Sequence, residues 1–270
     1  MSLACSFRNV CRLLLVSALI NSAAAAEVLC TALANGESGR VLVQEGACEQ
    51  RLTPASTFKI ALSLMGYDSG ILVTEHSPTL PFREGDPDWI ESWKAPTDPE
   101  AWMRNSVVWF SWRITQSLDH ERFKRYVKAF GYGNQDVSGN PGQNDGLTHA
   151  WLTSSLKISP LEQLAFLRKL VRRELPVSLH AYDMTERITL IERLPGGWEV
   201  HGKTGTGSRV SPDGSIDRSR QIGWFVGWAR KANKSLVFAY CIEDEARQPP
   251  DHAGPRAKTT FLSRLPSLLP

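Results

Sequence analysis

The runs of residues typical of β-strands lie at the two ends of this sequence, and the helical periodicity lies between them. Strand-like runs cover 28–34 and 40–44 near the start, and 199–203, 223–229 and 236–242 near the end. Strands from both ends of a chain that share one sheet leave the middle of the chain as a separate layer. We therefore predict an α+β fold: an antiparallel sheet built from both termini, flanked by helices, with an inserted helical lobe.

The first 26 residues have the pattern of a signal peptide. Arg8 and Arg12 precede a short apolar run, 13–20, and alanines close the segment at 24–26. That order of basic, apolar and small residues is typical of an exported protein, and the run is too short to span a bilayer. We predict cleavage after Ala26 and secretion to the periplasm. An N-terminal anchor or a buried helix is the alternative.

The remaining residues, 27–270, are predicted to form a single domain. Its sheet region covers about 27–52 and 190–270, and its helical lobe covers about 53–189. Loss of the two leader arginines lowers the Lys and Arg total from 31 to 29, against 28 acidic residues, so the mature chain is nearly neutral. Its basic residues are scattered, which argues against nucleic acid as a partner. We expect no membrane attachment after cleavage, and either a monomer or a homodimer.

Three cysteines remain after the leader is removed. Cys30 and Cys48 flank a predicted β-hairpin, so we pair them as a disulfide, which an exported protein can keep. Two reduced, buried thiols are the alternative. Cys241 lies in an apolar run and is predicted to be a core residue. The six histidines show no metal-binding spacing, so we predict no metal site.

Ser56 and Lys59 open an apolar stretch that is predicted to be a buried helix, 57–67. Residues three apart share a helix face, so the Ser56 hydroxyl would lie beside the Lys59 amine. Burial lowers the pKa of a lysine, and a neutral amine can take the proton of a serine nucleophile. A serine followed three residues later by a lysine occurs about once by chance in a chain of this length. A second copy, Ser154 to Lys157, precedes a helix cap and is predicted to lie in a turn.

Lys203-Thr204-Gly205 ends a strand-like run. It is a rarer motif than the serine–lysine spacing, so the two together identify a function more specifically than the spacing alone. This tripeptide occurs by chance in only a few per cent of chains of this size. A lysine and a threonine on a strand edge can bind a carboxylate while the backbone pairs with a ligand. Ser106 supplies a further hydroxyl between the two motifs.

Taken in order, Ser56-x-x-Lys59, Ser106-Val107-Val108 and Lys203-Thr204-Gly205 resemble the motifs of the penicillin-recognising serine enzymes. Valine at the third position of the middle motif resembles the class D, or oxacillinase-type, β-lactamases, as do the segments 132–134, 151–159 and 223–228. The resemblance covers roughly residues 50–260. It implies a hydrolase that opens β-lactam antibiotics.

The resemblance also implies roles for individual residues. Ser56 would become acylated. Lys59 would be carboxylated by carbon dioxide to N6-carboxylysine, which would act as the general base. No other cofactor is expected. Trp151 would donate its indole N–H to that carbamate. Ser106, helped by Lys203, would pass a proton to the leaving lactam nitrogen.

Substrate binding is implied for a further set. The backbone N–H groups of Ser56 and Thr206 would form an oxyanion hole beside Gly205. The substrate carboxylate would be held by Thr204 and an arginine, for which Arg256 matches better than Arg209 or Arg247. Apolar residues would line the pocket around the lysine and control the entry of water and carbon dioxide; these are Val108 and Leu152.

Two other functions fit the same motifs. One is a penicillin-binding peptidase, which releases its acyl group slowly. The other is a penicillin sensor that stays acylated. A sensor would need a membrane-spanning region that we do not find after the leader, and the predicted Trp151 donor favours the β-lactamase.

Overall fold

The computed structural model describes residues 26–210, 215–245 and 252–269. Within these residues the chain forms one antiparallel sheet with strand order β2-β1-β6-β5-β4-β3. The strands are Ala26–Asn35 (β1), Val41–Gly46 (β2), Leu190–Leu194 (β3), Trp198–Val210 (β4), Ile216–Lys231 (β5) and Lys234–Asp244 (β6). The predicted leader lies outside the described residues, except for Ala26, which begins β1.

The helices lie between the two sets of strands and after the last strand. They are Lys59–Asp68 (α1), Pro99–Asn105 (α2), Val108–Leu118 (α3), His120–Phe130 (α4), Gly146–His149 (α5), Pro160–Val171 (α6), Leu179–Ile188 (α7) and Ala253–Leu268 (α8). Two short 3-10 helices cover Ala55–Phe58 and Glu91–Lys94. The predicted α+β architecture is confirmed. No helix among the described residues combines the length and apolarity needed to cross a membrane.

Each face of the sheet packs against a different layer. On β6, Ala239 and Cys241 point into the core shared with the helical lobe, whereas Phe238 and Tyr240 face α8. Both faces of this strand are therefore buried, which explains its unbroken apolar run. In the lobe, α1 is buried along almost all its length and packs against α3 and α7, as its apolar composition predicts.

Several elements differ from their predicted extents. The apolar spacing predicts that the helix beginning near Pro99 continues from Ser106 to Leu118, but Ser106 ends α2 in the left-handed conformation with a φ of +59°, and α3 begins at Val108. The capping box at Ser159 predicts a helix to about Leu175, whereas α6 ends at Val171. β4 and β5 are longer than predicted, and β3 and α7 were not predicted.

The disulfide prediction is confirmed. Cys30 on β1 is bonded to Cys48, which follows β2, and the pair closes the hairpin at one edge of the sheet. Cys241 is a buried free thiol, as expected of a core residue.

Candidate active site

The serine and lysine of the first motif lie on consecutive turns. Ser56 belongs to the 3-10 helix Ala55–Phe58, and Lys59 is the first residue of α1. The Lys59 Nζ donates a hydrogen bond to the Ser56 Oγ at 3.1 Å. Ala55, directly before the serine, has a φ of +47°, a conformation that alanine rarely adopts. Strain of this kind persists only where the surroundings hold it, and it is frequent at functional sites.

Buried hydrogen bonds hold the turn that carries Ser56. The Ala55 N–H donates to the Trp151 carbonyl at 2.9 Å, and the Trp224 indole N–H donates to the Thr53 carbonyl at 3.0 Å. Next to the turn, in the buried interior, the Gln163 amide donates to the hydroxyls of Thr57 and Tyr132 at 3.1 and 3.2 Å. The sequence did not reveal Gln163 or Trp224 as supports of the site, because neither belongs to one of the three motifs.

Lys59 is fully buried. Removal from water lowers its pKa well below the usual range, and the nearby Lys203 ammonium lowers it further. Both effects disfavour the charged form, so the neutral amine is easier to reach than for a lysine in water. A neutral amine in hydrogen-bond contact with a serine hydroxyl is able to accept the proton of that hydroxyl.

The second lysine lies on β4, next to the same turn. The Lys203 Nζ donates to the carbonyl and the hydroxyl of Thr204 at 3.1 and 3.2 Å. Burial lowers the pKa of Lys203 to about 7, with a smaller contribution from Lys258 on α8. Lys203 is therefore poised to exchange a proton near neutral pH.

Gly205 lets β4 approach the nucleophile turn closely. A methyl group on its Cα would lie 2.9 Å from the Pro54 carbonyl oxygen and 3.2 Å from the Thr57 nitrogen. Both neighbours are backbone atoms and cannot move aside. Glycine is thus required where this strand passes the turn.

Trp151 is fully buried beside Phe58, with the two ring centroids 5.6 Å apart. Its indole Nε1 has no hydrogen-bond partner within the described part of the chain. An unsatisfied buried donor costs about 1–3 kcal/mol, so its retention needs an explanation. The Trp151 donor can therefore serve a further acceptor, as can the Trp228 indole, which is in the same state.

A cleft of about 760 Å³ opens above these groups. Six of the residues expected from the sequence line it: Ser56, Ser106, Val108, Leu152, Thr204 and Thr206. Lys59, Trp151 and Lys203 are buried beside it. Other lining residues, among them Trp89, Arg104 and Arg218, belong to no motif and were not predicted. In the described ranges, no three His, Cys, Asp or Glu side chains converge as metal ligands.

Arg256 is engaged by a carboxylate of the chain itself. It borders a separate groove beside β1 and β6, and its guanidinium bonds both carboxylate oxygens of the buried Asp244 at 2.6 and 2.7 Å. Arg209 is likewise bound to a buried carboxylate, that of Glu243. Arg247 lies outside the described residues. The sequence position of Arg256 did not reveal that Asp244 would engage its side chain.

Comparison with known proteins agrees with this geometry. Residues 17–265 match the family model of the penicillin binding protein transpeptidase domain. The chain is 43% identical to β-lactamase OXA-9 of Klebsiella pneumoniae over 93% of its own length and 92% of the relative's. It is 41% identical to β-lactamase OXA-1 of Escherichia coli over 72% of its length and 68% of the relative's.

Comparison of the fold with solved structures also matches a β-lactamase. The crystal structure of the class D β-lactamase OXA-427 superposes with a TM-score of 0.85 at 49% identity, covering 88% of this chain and 97% of that one. With the serine and lysine motifs assembled around one cleft, the chain belongs to the penicillin-binding transpeptidase family and, within it, to the class D β-lactamases, which are hydrolases.

Proposed function

We propose that the chain hydrolyses the amide bond of β-lactam antibiotics through an acyl-enzyme on Ser56. The observation that carries this proposal is the 3.1 Å contact between the Ser56 Oγ and the buried Lys59 Nζ. A hydroxyl becomes a good nucleophile only when a base takes its proton, and this contact supplies the path.

The surrounding residues supply the rest of the acylation step. The Ser56 Oγ attacks the lactam carbonyl, whose oxygen accepts hydrogen bonds from the backbone N–H groups of Ser56 and Thr206. Ser106 gives its hydroxyl proton to the departing lactam nitrogen and recovers one from Lys203. A pKa of about 7 allows Lys203 to give that proton near neutral pH.

We propose further that the neutral Lys59 amine attacks carbon dioxide, forming an N–C bond and releasing one proton to solvent, to give N6-carboxylysine. Two features support this modification: the lowered pKa favours the neutral amine, and Trp151 holds a buried N–H without an acceptor in the described structure. When present, the carboxylate supplies the base for acylation and for activation of the hydrolytic water. Trp151 would hold it by donating one hydrogen bond.

Lys203 and Thr204 are suited to bind the carboxylate that β-lactams carry beside the reactive ring, because Thr204 offers a hydroxyl donor at the wall of the cleft and the Lys203 Nζ lies 3.2 Å from that hydroxyl. Val108 and Leu152 form an apolar part of the same wall. Apolar side chains there would limit how many water molecules reach the acyl-enzyme.

The alternatives are a penicillin-binding peptidase and a sensor that remains acylated. Rapid release of the acyl group needs a base that survives acylation, and the unsatisfied Trp151 donor supports such a base at Lys59. This feature favours the hydrolase.

A time course with a chromogenic β-lactam tests the proposal. We expect sustained turnover of many equivalents per enzyme and a faster rate when bicarbonate is added. A single stoichiometric burst, followed by a stable adduct, would contradict hydrolysis and favour the peptidase or the sensor.

We also propose that the mature domain functions outside the cytoplasm. The apolar segment 13–20 and the alanines at 24–26 support removal of a leader, and the Cys30–Cys48 disulfide is typical of an oxidising compartment. Mass spectrometry of protein from the periplasm, giving an N-terminus near Glu27, would test this.

A further inference from the structure

The mouth of the cleft combines exposed apolar side chains with arginines. Trp89 is 68% exposed, and Ile90 and Ile216 are 40% and 41% exposed; all three line the cleft. Arg104 and Arg218 line it as well, and none of the described residues in its lining is an aspartate or a glutamate. This composition differs from that of the whole sequence, which has 31 Lys and Arg against 28 Asp and Glu.

The apolar part has the properties of a binding surface. The Trp89 ring packs on Trp93 with their centroids 5.5 Å apart, and the Trp93 indole is fixed by a hydrogen bond to the Asn105 carbonyl at 2.9 Å. Exposed apolar side chains that are grouped at a groove mark ligand sites, because contact of apolar surface with water does not stabilise the fold. An aromatic ring of a ligand would cover them.

The two arginines are available to a ligand. No carboxylate in the described ranges forms an ion pair with Arg218, which lies on β5 near Ile216. Among the described carboxylates, Arg104 pairs with that of Glu100 alone, one helical turn away at 3.4 Å, and both side chains are exposed. Exposed pairs of this kind contribute little, so a bound anion would displace Glu100 readily.

These arginines lie apart from the donors already assigned to the ring carboxylate of the substrate, Lys203 and Thr204. We propose that the mouth of the cleft is a subsite for acyl side chains that carry an aromatic ring and a second anionic group. The ring would pack on Trp89, Ile90 and Ile216, and the second anion would bind Arg218, assisted by Arg104. This inference rests on the proposed β-lactam hydrolysis and specifies the substrate class of that same site.

Two penicillins that differ by one carboxylate provide the test. We would measure kcat/KM for benzylpenicillin and for its α-carboxybenzyl counterpart with the intact enzyme, and take the ratio of the second value to the first. In Arg218→Gln we expect that ratio to fall about threefold, the effect of losing one exposed ion pair. Arg125→Gln, which removes the same charge from the exposed face of α4 outside the cleft, should leave it unchanged.

Two further measurements separate the ionic part from the apolar part. High salt should reduce the ratio in the wild-type enzyme, because the Debye length shrinks from about 10 Å at 0.1 M to about 3 Å at 1 M. Salt should change the ratio less in Arg218→Gln. Trp89→Ala should raise KM for both penicillins alike and leave the ratio near its wild-type value.

The outcomes are distinguishable. A ratio unaffected by Arg218→Gln, with both penicillins still hydrolysed, would overturn the subsite and leave the proposed function intact. An equal loss for both penicillins would also overturn it, because Arg218 would then bind the carboxylate that the two share. Hydrolysis of neither penicillin by the wild-type enzyme would contradict the proposed function and the subsite together.

Discussion

At the scale of single residues, the roles proposed for Trp151 and Lys59 can be separated by substitution. Trp151→Phe keeps an aromatic ring against Phe58 and removes the indole donor. A hydrogen bond to a charged group contributes about 1.5–3 kcal/mol, so we expect carboxylation of Lys59 to weaken by about 10- to 100-fold. Activity should fall and should recover in part when bicarbonate is added. Absence of any bicarbonate response, in a variant that is still folded, would count against the carbamate.

Lys203 gives a prediction for stability. Its folded pKa, about 7, lies below the value of a lysine in the unfolded chain, so between pH 7 and about 10 the unfolded state binds more protons. Stability should therefore rise with pH across that window, and the penalty of burying the ammonium should be fully present below pH 7. We expect Lys203→Met to be about 1–4 kcal/mol more stable at pH 6, with a smaller gain at pH 9.

Denaturant unfolding at the two pH values measures this difference. Lys258→Met, on the partly exposed neighbouring residue, is the matched control and should show a much smaller change. A gain for Lys203→Met that does not depend on pH would show that the lysine is not the titrating group.

The residues that the sequence located best are those whose positions depend on local spacing. Ser56 and Lys59 meet because three residues separate them on a helical turn. The bond between Arg256 and Asp244 was not predictable in this way, because Asp244 is twelve positions away and is brought to Arg256 by the packing of α8 against β6.

At the scale of elements, the approach of β4 to the nucleophile turn would set the geometry of the proposed oxyanion hole. Gly205→Ala would place a methyl group against the backbone of Pro54 and Thr57, and so move the strand away from Ser56. We expect a loss of about 10²–10³ in kcat, the effect of removing one oxyanion donor.

Gly207→Ala is the matched comparison on the same face of β4. Its methyl group would meet only side-chain carbons, those of Thr53 at 2.9 Å and Ala55 at 3.6 Å. We expect a much smaller loss of kcat, which steady-state kinetics with one β-lactam would measure for both variants. Equal losses would show that contact with the turn backbone is not the decisive feature.

The break between α2 and α3 shows the limit of periodicity at this scale. The apolar spacing continues through Ser106, yet the residue takes a left-handed conformation that ends α2. A serine is not favoured there, so nothing in the local sequence indicates it. The break matters for function because Ser106 lines the cleft.

At the scale of the whole molecule, the Cys30–Cys48 disulfide and the cleft are separate features. The bond joins residues 18 apart at one edge of the sheet, and neither cysteine lines the cleft. Replacing both with alanine should lower the free energy of unfolding by about 3 kcal/mol, because the unfolded chain gains freedom. kcat/KM of the folded variant should be unchanged. Chemical denaturation measures the free energy of unfolding, and steady-state kinetics measure kcat/KM. A large fall in kcat/KM would contradict the conclusion that the disulfide and the cleft are separate features.

The fold class was predictable because strand-like and helical segments occupy different parts of the chain. The length of β5 was not, since its first residues, 216–221, are largely polar and show no alternation. These residues extend the hairpin that carries Arg218 to the mouth of the cleft. The sequence thus indicated the catalytic motifs, whereas the residues at the mouth depend on tertiary structure.

The central claim is that Ser56 is acylated and that Lys59 drives release of the acyl group. Intact-protein mass spectrometry of the wild-type enzyme, Ser56→Ala and Lys59→Ala, each mixed with benzylpenicillin, tests it most directly. We predict no adduct on Ser56→Ala and, on Lys59→Ala, one slowly formed and persistent adduct that maps to the Ser56 peptide. An adduct on Ser56→Ala, or normal turnover by Lys59→Ala, would contradict the assignment.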